Sequence, residues 1–241
     1  MKLLALDTAT ELCSAALWLD GQVSVREELR ARGHGELILP MIEALLAQAS
    51  LRLQLLDAIA FGRGPGAFTG VRLAVSVAQG LGYSAHLPLI PISNLRALAA
   101  QALPLPQATQ RVLVCQDARM GEVYWGCFEH TQRSGSQTLA AAGVESVSAP
   151  QSVLLPAGWS DRSACGAGSG FAAYAAALSG LEPELAAVFP QLLPHAREIA
   201  RLAASDGIRC AVAPEYAQPI YLRDDVAKVP TTGAATLWSR N

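Results

Sequence analysis

FGRGPGAFTGVRLAVSVAQGL, residues 61–81, decides how the first part of this chain is read. Glycines stand at 62, 64, 66 and 70, four in nine residues, and a run of small apolar side chains follows. Glycine-rich turns between a strand and a helix hold phosphates where backbone amides must approach a ligand. Gly62-Arg63-Gly64-Pro65-Gly66-Ala67 satisfies the GxGxx[G/A] spacing of a dinucleotide turn. Three features oppose that role. The run does not follow the first strand, Pro65 stiffens it, and no Asp or Glu lies between Asp57 and Asp117 to bind a ribose. Gly-Lys-Ser/Thr occurs nowhere in the chain, which excludes a Walker-type phosphate loop. The glycines therefore read as a tight strand-to-helix turn that needs positive φ.

The helix beyond the turn carries an unusual surplus of apolar surface. At about 100° per residue, Arg72, Ser76, Gln79 and Tyr83 form one narrow polar strip, and the remaining positions are apolar or small. The preceding helix, from about Gly35 to Ser50, places Leu37, Met41 and Leu45 on one edge and Ile38, Ile42, Leu46 and Ala49 on the next. That is an apolar arc of roughly 200°, about twice what one core requires. Either both helices are buried on two sides, or one face of each meets another protein. In a lobe of about a hundred residues the partner is the favoured alternative.

Working outward, LLALDT (3–8) reads as a buried strand, and Asp20-Gly21 joins two further strands as a hairpin. LDAIAFG is a short strand before the glycine turn, LPLIPIS another after the helix, and Ser93 caps a helix through Ala102. The two prolines of LPLPQATQ (103–110) mark a boundary. Beyond it come a strand ending at Asp117, an aromatic-rich strand, a third near residues 137–147, and a short helix from Pro150. A glycine-ended strand (SACGAGSG) follows, with helices near 170–178 and 195–204. Both halves open strand, Asp, turn, strand, strand. The expected fold is α/β with two similar lobes, each a mixed sheet with flanking helices: 1–106, 107–222, and a C-terminal tail at 223–241.

Composition agrees with a globular chain: 51% hydrophobic, 16% charged, net charge −2. That charge gives no case for gripping nucleic acid alone. Five cysteines without CxxC spacing read as small hydrophobes in a reducing, cytoplasmic setting. Asp7 and Glu11 interrupt the apolar start too early for a signal sequence, and no run reaches transmembrane length. The four histidines are widely separated and form no metal-binding pair. AGSGF fails the nucleophile-elbow spacing at Ala167. Asp7, with Thr8 beside it, and Asp117 could hold a metal nucleotide between the lobes, while Gly166 and Gly168 approach its adenosine. Equally, each Asp caps its own turn and each glycine merely turns the chain.

LLALDTAT (3–10), GHGELILPMIEALL (33–46), GRGPGAFTGVRLAVSVAQGL (62–81), VLVCQDARMGEVYW (112–125) and PIYLR (219–223) together resemble the bacterial TsaB (YeaZ) family of threonylcarbamoyladenosine biosynthesis proteins. The resemblance runs from Lys2 to about Arg223, and GPGAFTGVR is its most specific part. It implies the actin/sugar-kinase/chaperone ATPase architecture and a noncatalytic subunit. Such a subunit supports a TsaD-like paralogue, which transfers threonylcarbamoyl to the tRNA adenosine beside the anticodon, together with a TsaE-like ATPase. ATP and metal are then expected on those partners, with no cofactor here, tRNA met only through the complex, no membrane, and a homodimer possible when the chain is alone. Pairing in that family runs through two helices of the first lobe. The expected interface is Leu37, Ile38, Met41, Ile42 and Leu45 on the first helix, with Val71, Ala74, Val75 and Ala78 on the second. The alternative is an autonomous ATP-dependent small-molecule kinase of the same fold.

Overall fold

The computed structural model describes residues 1–103, 105, 109–133, 136–159 and 162–223. The first sheet starts from β1 (Lys2–Asp7), β2 (Leu12–Leu19) and β3 (Gln22–Leu29), which pair antiparallel. Asp20 and Gly21 both adopt positive φ, 47° and 99°, the geometry a two-residue hairpin loop demands. Helix α1 (His34–Gln48) crosses to β4 (Ala58–Gly62), and α2 (Phe68–Ala85) to β5 (Leu89–Ile92). Both of these strands are parallel to β1, giving the order β3-β2-β1-β4-β5. Helix α3 (Asn94–Ala102) follows, with Ser93 Oγ accepting from the Arg96 amide as its cap.

The second half repeats this plan. β6 (Arg111–Arg119), β7 (Glu122–Arg133) and β8 (Ser136–Ala141) are antiparallel neighbours, and β9 (Ser146–Ser148) adds a short pairing to β7. β10 (Ala164–Ala167) and β11 (Leu185–Phe189) run parallel to β6, so the order is β8-β7-β6-β10-β11. Two one-turn helices, α4 (Gly170–Ala173) and α5 (Ala175–Leu178), lie before β11, and α6 (Ala196–Asp206) after it. The single strand expected at 137–147 is two strands, and β11 was not expected at all.

Why β1 reads as an unbroken apolar run is visible in the packing. Its side chains alternate across the sheet. Leu3 and Ala5 join a core with α3, α6 and the inner face of the second sheet, while Leu4 and Leu6 join a core with α1 and α2. A strand covered on both faces has no polar alternation to show. The third core lies outside the second sheet, under Phe171, Leu178 and Trp159.

Helices α3 and α6 are thus packed between the two sheets. Arg96 on α3 forms a two-pronged pair with Asp206 on α6 (2.6 and 2.8 Å) and donates to the Leu139 carbonyl of β8 (2.8 Å). At the other end of α6, His195 Nδ1 accepts from the Arg197 amide and Nε2 meets Glu27 on β3 at 2.5 Å. The chain after α6 also returns to the first sheet. Val212 bridges to Leu89, Ala217 enters the α1/α2 core, and the Ile220 amide donates to the Arg63 carbonyl. The segment expected to belong wholly to the second lobe, 107–222, therefore contributes α6 and 211–220 to the first.

Candidate functional site: an interlobe cleft and the outer helices

The glycine turn is shaped by close approach more than by positive φ. Only Gly64 of the four has positive φ (102°). A Cβ on Gly62 would lie 2.3 Å from Asp7 Oδ1, and one on Gly70 would lie 2.0 Å from the Thr8 carbonyl oxygen. On Gly64 it would meet the Ile220 carbonyl oxygen at 2.7 Å, and on Gly66 the Ala9 carbonyl oxygen at the same distance. The neighbours filling these spaces belong to the chain itself: the turn after β1 and the C-terminal segment.

Asp7 lies beneath this turn, fully buried. Its Oδ1 accepts from Asn94 Nδ2 (2.6 Å), and Asn94 Oδ1 accepts from the Gly64 amide (2.7 Å), so one relay joins the end of β1, the start of α3 and the turn. Oδ2 has no hydrogen-bond partner. Burial pushes the Asp7 carboxyl up to about 7, against the opposing pull of Asn94 and the nearby amides of Ala9 and Thr8. Asn94 was not singled out from the sequence. An Asn following a helix-capping Ser reads as ordinary cap chemistry, and only the fold brings it to Asp7.

Between the lobes lies a cleft of about 1220 Å3, bordered by the Thr8–Glu11 turn, the start of α2, the β6–β7 turn and residues 220–223. Of the five candidates for a nucleotide, Thr8 and Asp117 line it, whereas Asp7, Gly166 and Gly168 do not. Thr8 Oγ1 donates to the Gly70 carbonyl (2.6 Å). Asp117 is occupied by its own turn. Oδ1 accepts from the Arg119 amide (2.8 Å) and from Tyr174 Oη (2.9 Å), and Oδ2 pairs with Arg119 Nη1 (3.0 Å). Gly166 makes room for Phe171 and Leu185, and Gly168 for the Cys115 carbonyl. Both glycines are used in packing β10 against its neighbours.

Chemically reactive groups are few. Burial pushes the thiols of Cys13 and Cys127 up to about 12, and raises those of Cys115 and Cys165 as well, so these four are poor nucleophiles. Cys210 is exposed, unlike the buried hydrophobe the composition suggested. Among the described residues no three of His, Cys, Asp and Glu group to hold a metal ion. Among them, too, no helix is long and apolar enough to cross a membrane.

The outer helices correct the expected partner face. Ile38, Ile42 and Leu45 of α1 are buried, as are Val71, Ala74, Val75 and Ala78 of α2, all but Val71 within the core outside the first sheet. The parallel strands β1, β4 and β5 need both faces covered, and these residues are the cover on one of them. Leu37 and Met41 are only half-buried. What remains toward the outside is a second apolar set: exposed Leu39, Phe68 and Tyr83, with half-buried Leu73 and with Val77 and Leu81, which pack only partly against the core.

One further element was hidden in the sequence. Residues 218–223 cross from the first lobe to the second. Arg72 Nε donates to Tyr221 Oη (2.6 Å), and the Arg72 guanidinium lies 3.6 Å from the centre of the Phe68 ring. At the far end Arg223 Nη2 donates to the Ala118 carbonyl (3.2 Å) and reaches the Glu122 carboxylate. The PIYLR motif is therefore a strap over the cleft.

Two sheets of one topology, three antiparallel strands followed by two parallel ones, packed about α3 and α6, define a two-lobed α/β protein of the actin/sugar-kinase/chaperone ATPase type. A family model described as TsaD, tRNA N6-adenosine threonylcarbamoyltransferase, matches residues 25–231. The tRNA threonylcarbamoyladenosine biosynthesis protein TsaB of Escherichia coli is 39% identical over 239 residues, covering 94% of this chain and 96% of that one. TsaB of Haemophilus influenzae is 54% identical over 125 residues, 52% of each chain. A Pseudomonas aeruginosa crystal structure, described as an uncharacterized protein with similarity to peptidase YeaZ, superposes with a TM-score of 0.82 at 42% identity, covering 92% of this chain and 99% of that one. The chain belongs to the TsaB (YeaZ) family, within the wider group that the threonylcarbamoyltransferase model describes.

Proposed function

We propose that this chain is a noncatalytic subunit of the machinery that places threonylcarbamoyl on the tRNA adenosine beside the anticodon. In this proposal it binds and activates a TsaD-type catalytic subunit, with a TsaE-type ATPase joining them. The observation that carries the proposal is the second apolar set on α1 and α2. With their buried faces already spent on the sheet, Leu39 is 44% exposed, Phe68 47% and Tyr83 75%, beside half-buried Leu37, Met41, Leu73, Val77 and Leu81. Apolar surface left over on two adjacent crossover helices fits a helical face of a partner. ATP and metal belong to the partners, and Asp7, Asp117, Gly166 and Gly168 keep structural roles here.

Reconstitution tests this directly. Mixed with a TsaD-type subunit, the chain should co-elute on size exclusion and should be required for modification of tRNA by the threonylcarbamoyl-adenylate route. Modification of tRNA, or rapid ATP turnover, by the chain alone would refute the noncatalytic assignment. Micromolar binding of Mg-ATP in calorimetry would favour a small-molecule kinase.

A further inference from the structure

Phe68, Arg72 and Tyr221 form an exposed cluster whose parts come from the start of α2 and from the strap. Phe68 is 47% and Tyr221 43% exposed, and their ring centroids lie 5.6 Å apart. Arg72 lies against both rings, and its Nε is committed to Tyr221. Among the described residues no carboxylate pairs with Arg72. The guanidinium is thus held in place by a ring and a hydroxyl, and its Nη edge meets no carboxylate among the described residues. Such a fork matches a carboxylate through two parallel hydrogen bonds, and its ordering cost is already met within the fold.

The surroundings favour an anion. No Asp or Glu occurs in the sequence between Asp57 and Asp117, and Glu11 and Asp117 are the acids that border the same cleft. The N-cap of α2, Ala67, gives no side-chain cap, leaving the first amides of the helix and the positive end of its dipole nearby. Tyr and Arg, packed together and partly desolvated, are also the residue types that dominate binding energy at protein interfaces.

We infer that the Phe68–Arg72–Tyr221 cluster docks a carboxylate side chain of a protein partner, and that the strap presents it. The inference rests on the proposed function, the partner being its TsaD-type subunit. Arg223 acts as a positioning residue, because its contacts with Ala118 and Glu122 hold the strap from the second lobe. An RNA phosphate has a similar shape, but RNA requires several cations along a backbone. This chain carries a net charge of −2, and the cluster supplies one.

The test is calorimetric titration of the full chain with the purified TsaD-type subunit, at about 50 and about 300 mM salt to vary screening. Arg72→Met should weaken the dissociation constant about tenfold to a hundredfold and flatten its salt dependence. Arg72→Lys should not restore it, because a point charge lacks the fork. Ser84→Ala, an exposed change at the far end of α2 and outside the apolar set, serves as the control for the helix surface, and circular dichroism confirms each fold. Arg72→Met binding within about twofold of wild type overturns the inference alone. Unchanged subunit affinity with a loss of tRNA affinity by the assembled complex overturns it in favour of RNA. If the unmodified chain does not bind the subunit at all, the proposed function fails, and the inference with it.

Discussion

Gly70 and Gly80 lie on the same helix, and the same substitution should move stability in opposite directions. In a helix, Gly→Ala gains about 1 kcal/mol by restricting the unfolded chain. At Gly80 a Cβ meets nothing within 4 Å, so that gain should appear undiminished. At Gly70 the Cβ would stand 2.0 Å from the Thr8 carbonyl oxygen and 3.1 Å from its carbon. Both are backbone atoms, and the Gly70 carbonyl also accepts the Thr8 hydroxyl at 2.6 Å, so neither side gives way cheaply. Overpacking of this kind costs about 3 kcal/mol, which leaves a net loss of about 2 kcal/mol after the helix gain. For a chain of this length each kcal/mol corresponds to about 2–4 °C in Tm. Gly80→Ala should therefore raise Tm by about 2–4 °C, and Gly70→Ala should lower it by about 4–8 °C. Thermal melts of the two variants, followed by circular dichroism, decide it. Equal shifts in one direction would refute the claim that the glycine run exists to let the β1–β2 turn approach α2.

Other perturbations test other joints. Asp7 titrates near 7 in the fold against its ordinary 3.8, so its folded state favours the proton; stability is complete below about pH 4 and declines as pH rises to about 7. That shift is worth about 4 kcal/mol, and Asp7→Asn should remove most of the difference between urea melts at about pH 5 and about pH 8. Arg96→Met strands Asp206 between α3 and α6 and should cost about 3 kcal/mol in urea unfolding, largely recovered by adding Asp206→Leu. Ala78→Arg, at a position the sequence placed in the expected partner interface, should lower stability by at least about 3 kcal/mol, because Ala78 is fully buried.

The first lobe was legible because its signals are local. A strand shows as an apolar run, Asp20-Gly21 as a hairpin, and Ser93 as a cap. The surplus apolar arc on α1 and α2 was also legible, but not its division. Ala74 and Ala78 looked suited to a close-packed partner, and the same smallness lets α2 lie against its own sheet. Helical periodicity reports how wide an apolar face is, not what covers it. β11, a five-residue edge strand in LAAVF with only one β-branched residue, gave almost no signal. The strap was invisible for a different reason. QPIYLR has no periodicity, and its partners Arg63, Arg72 and Ala118 are about a hundred residues or more away in sequence.

The duplicated plan makes one comparison within the molecule instructive. Asp7 on β1 and Asp117 on β6 sit toward the cleft ends of the two central strands, the positions from which paired carboxylates could face a ligand between the lobes. Each is spent differently. Asp7 is drawn under the glycine turn by Asn94, and a Cβ on Gly62 would displace it. Asp117 folds back on the Arg119 amide and guanidinium and on Tyr174. In both lobes the glycines after the parallel strands approach protein atoms, Thr8, Ala9 and Ile220 in one and Cys115 in the other. These groups hold the turns and the strap. Outside, α2 and the strap bring Phe68, Arg72 and Tyr221 together, and among the described residues no carboxylate pairs with Arg72. For the proposed partner-binding role, that exposed, pre-formed contact is what the fold offers.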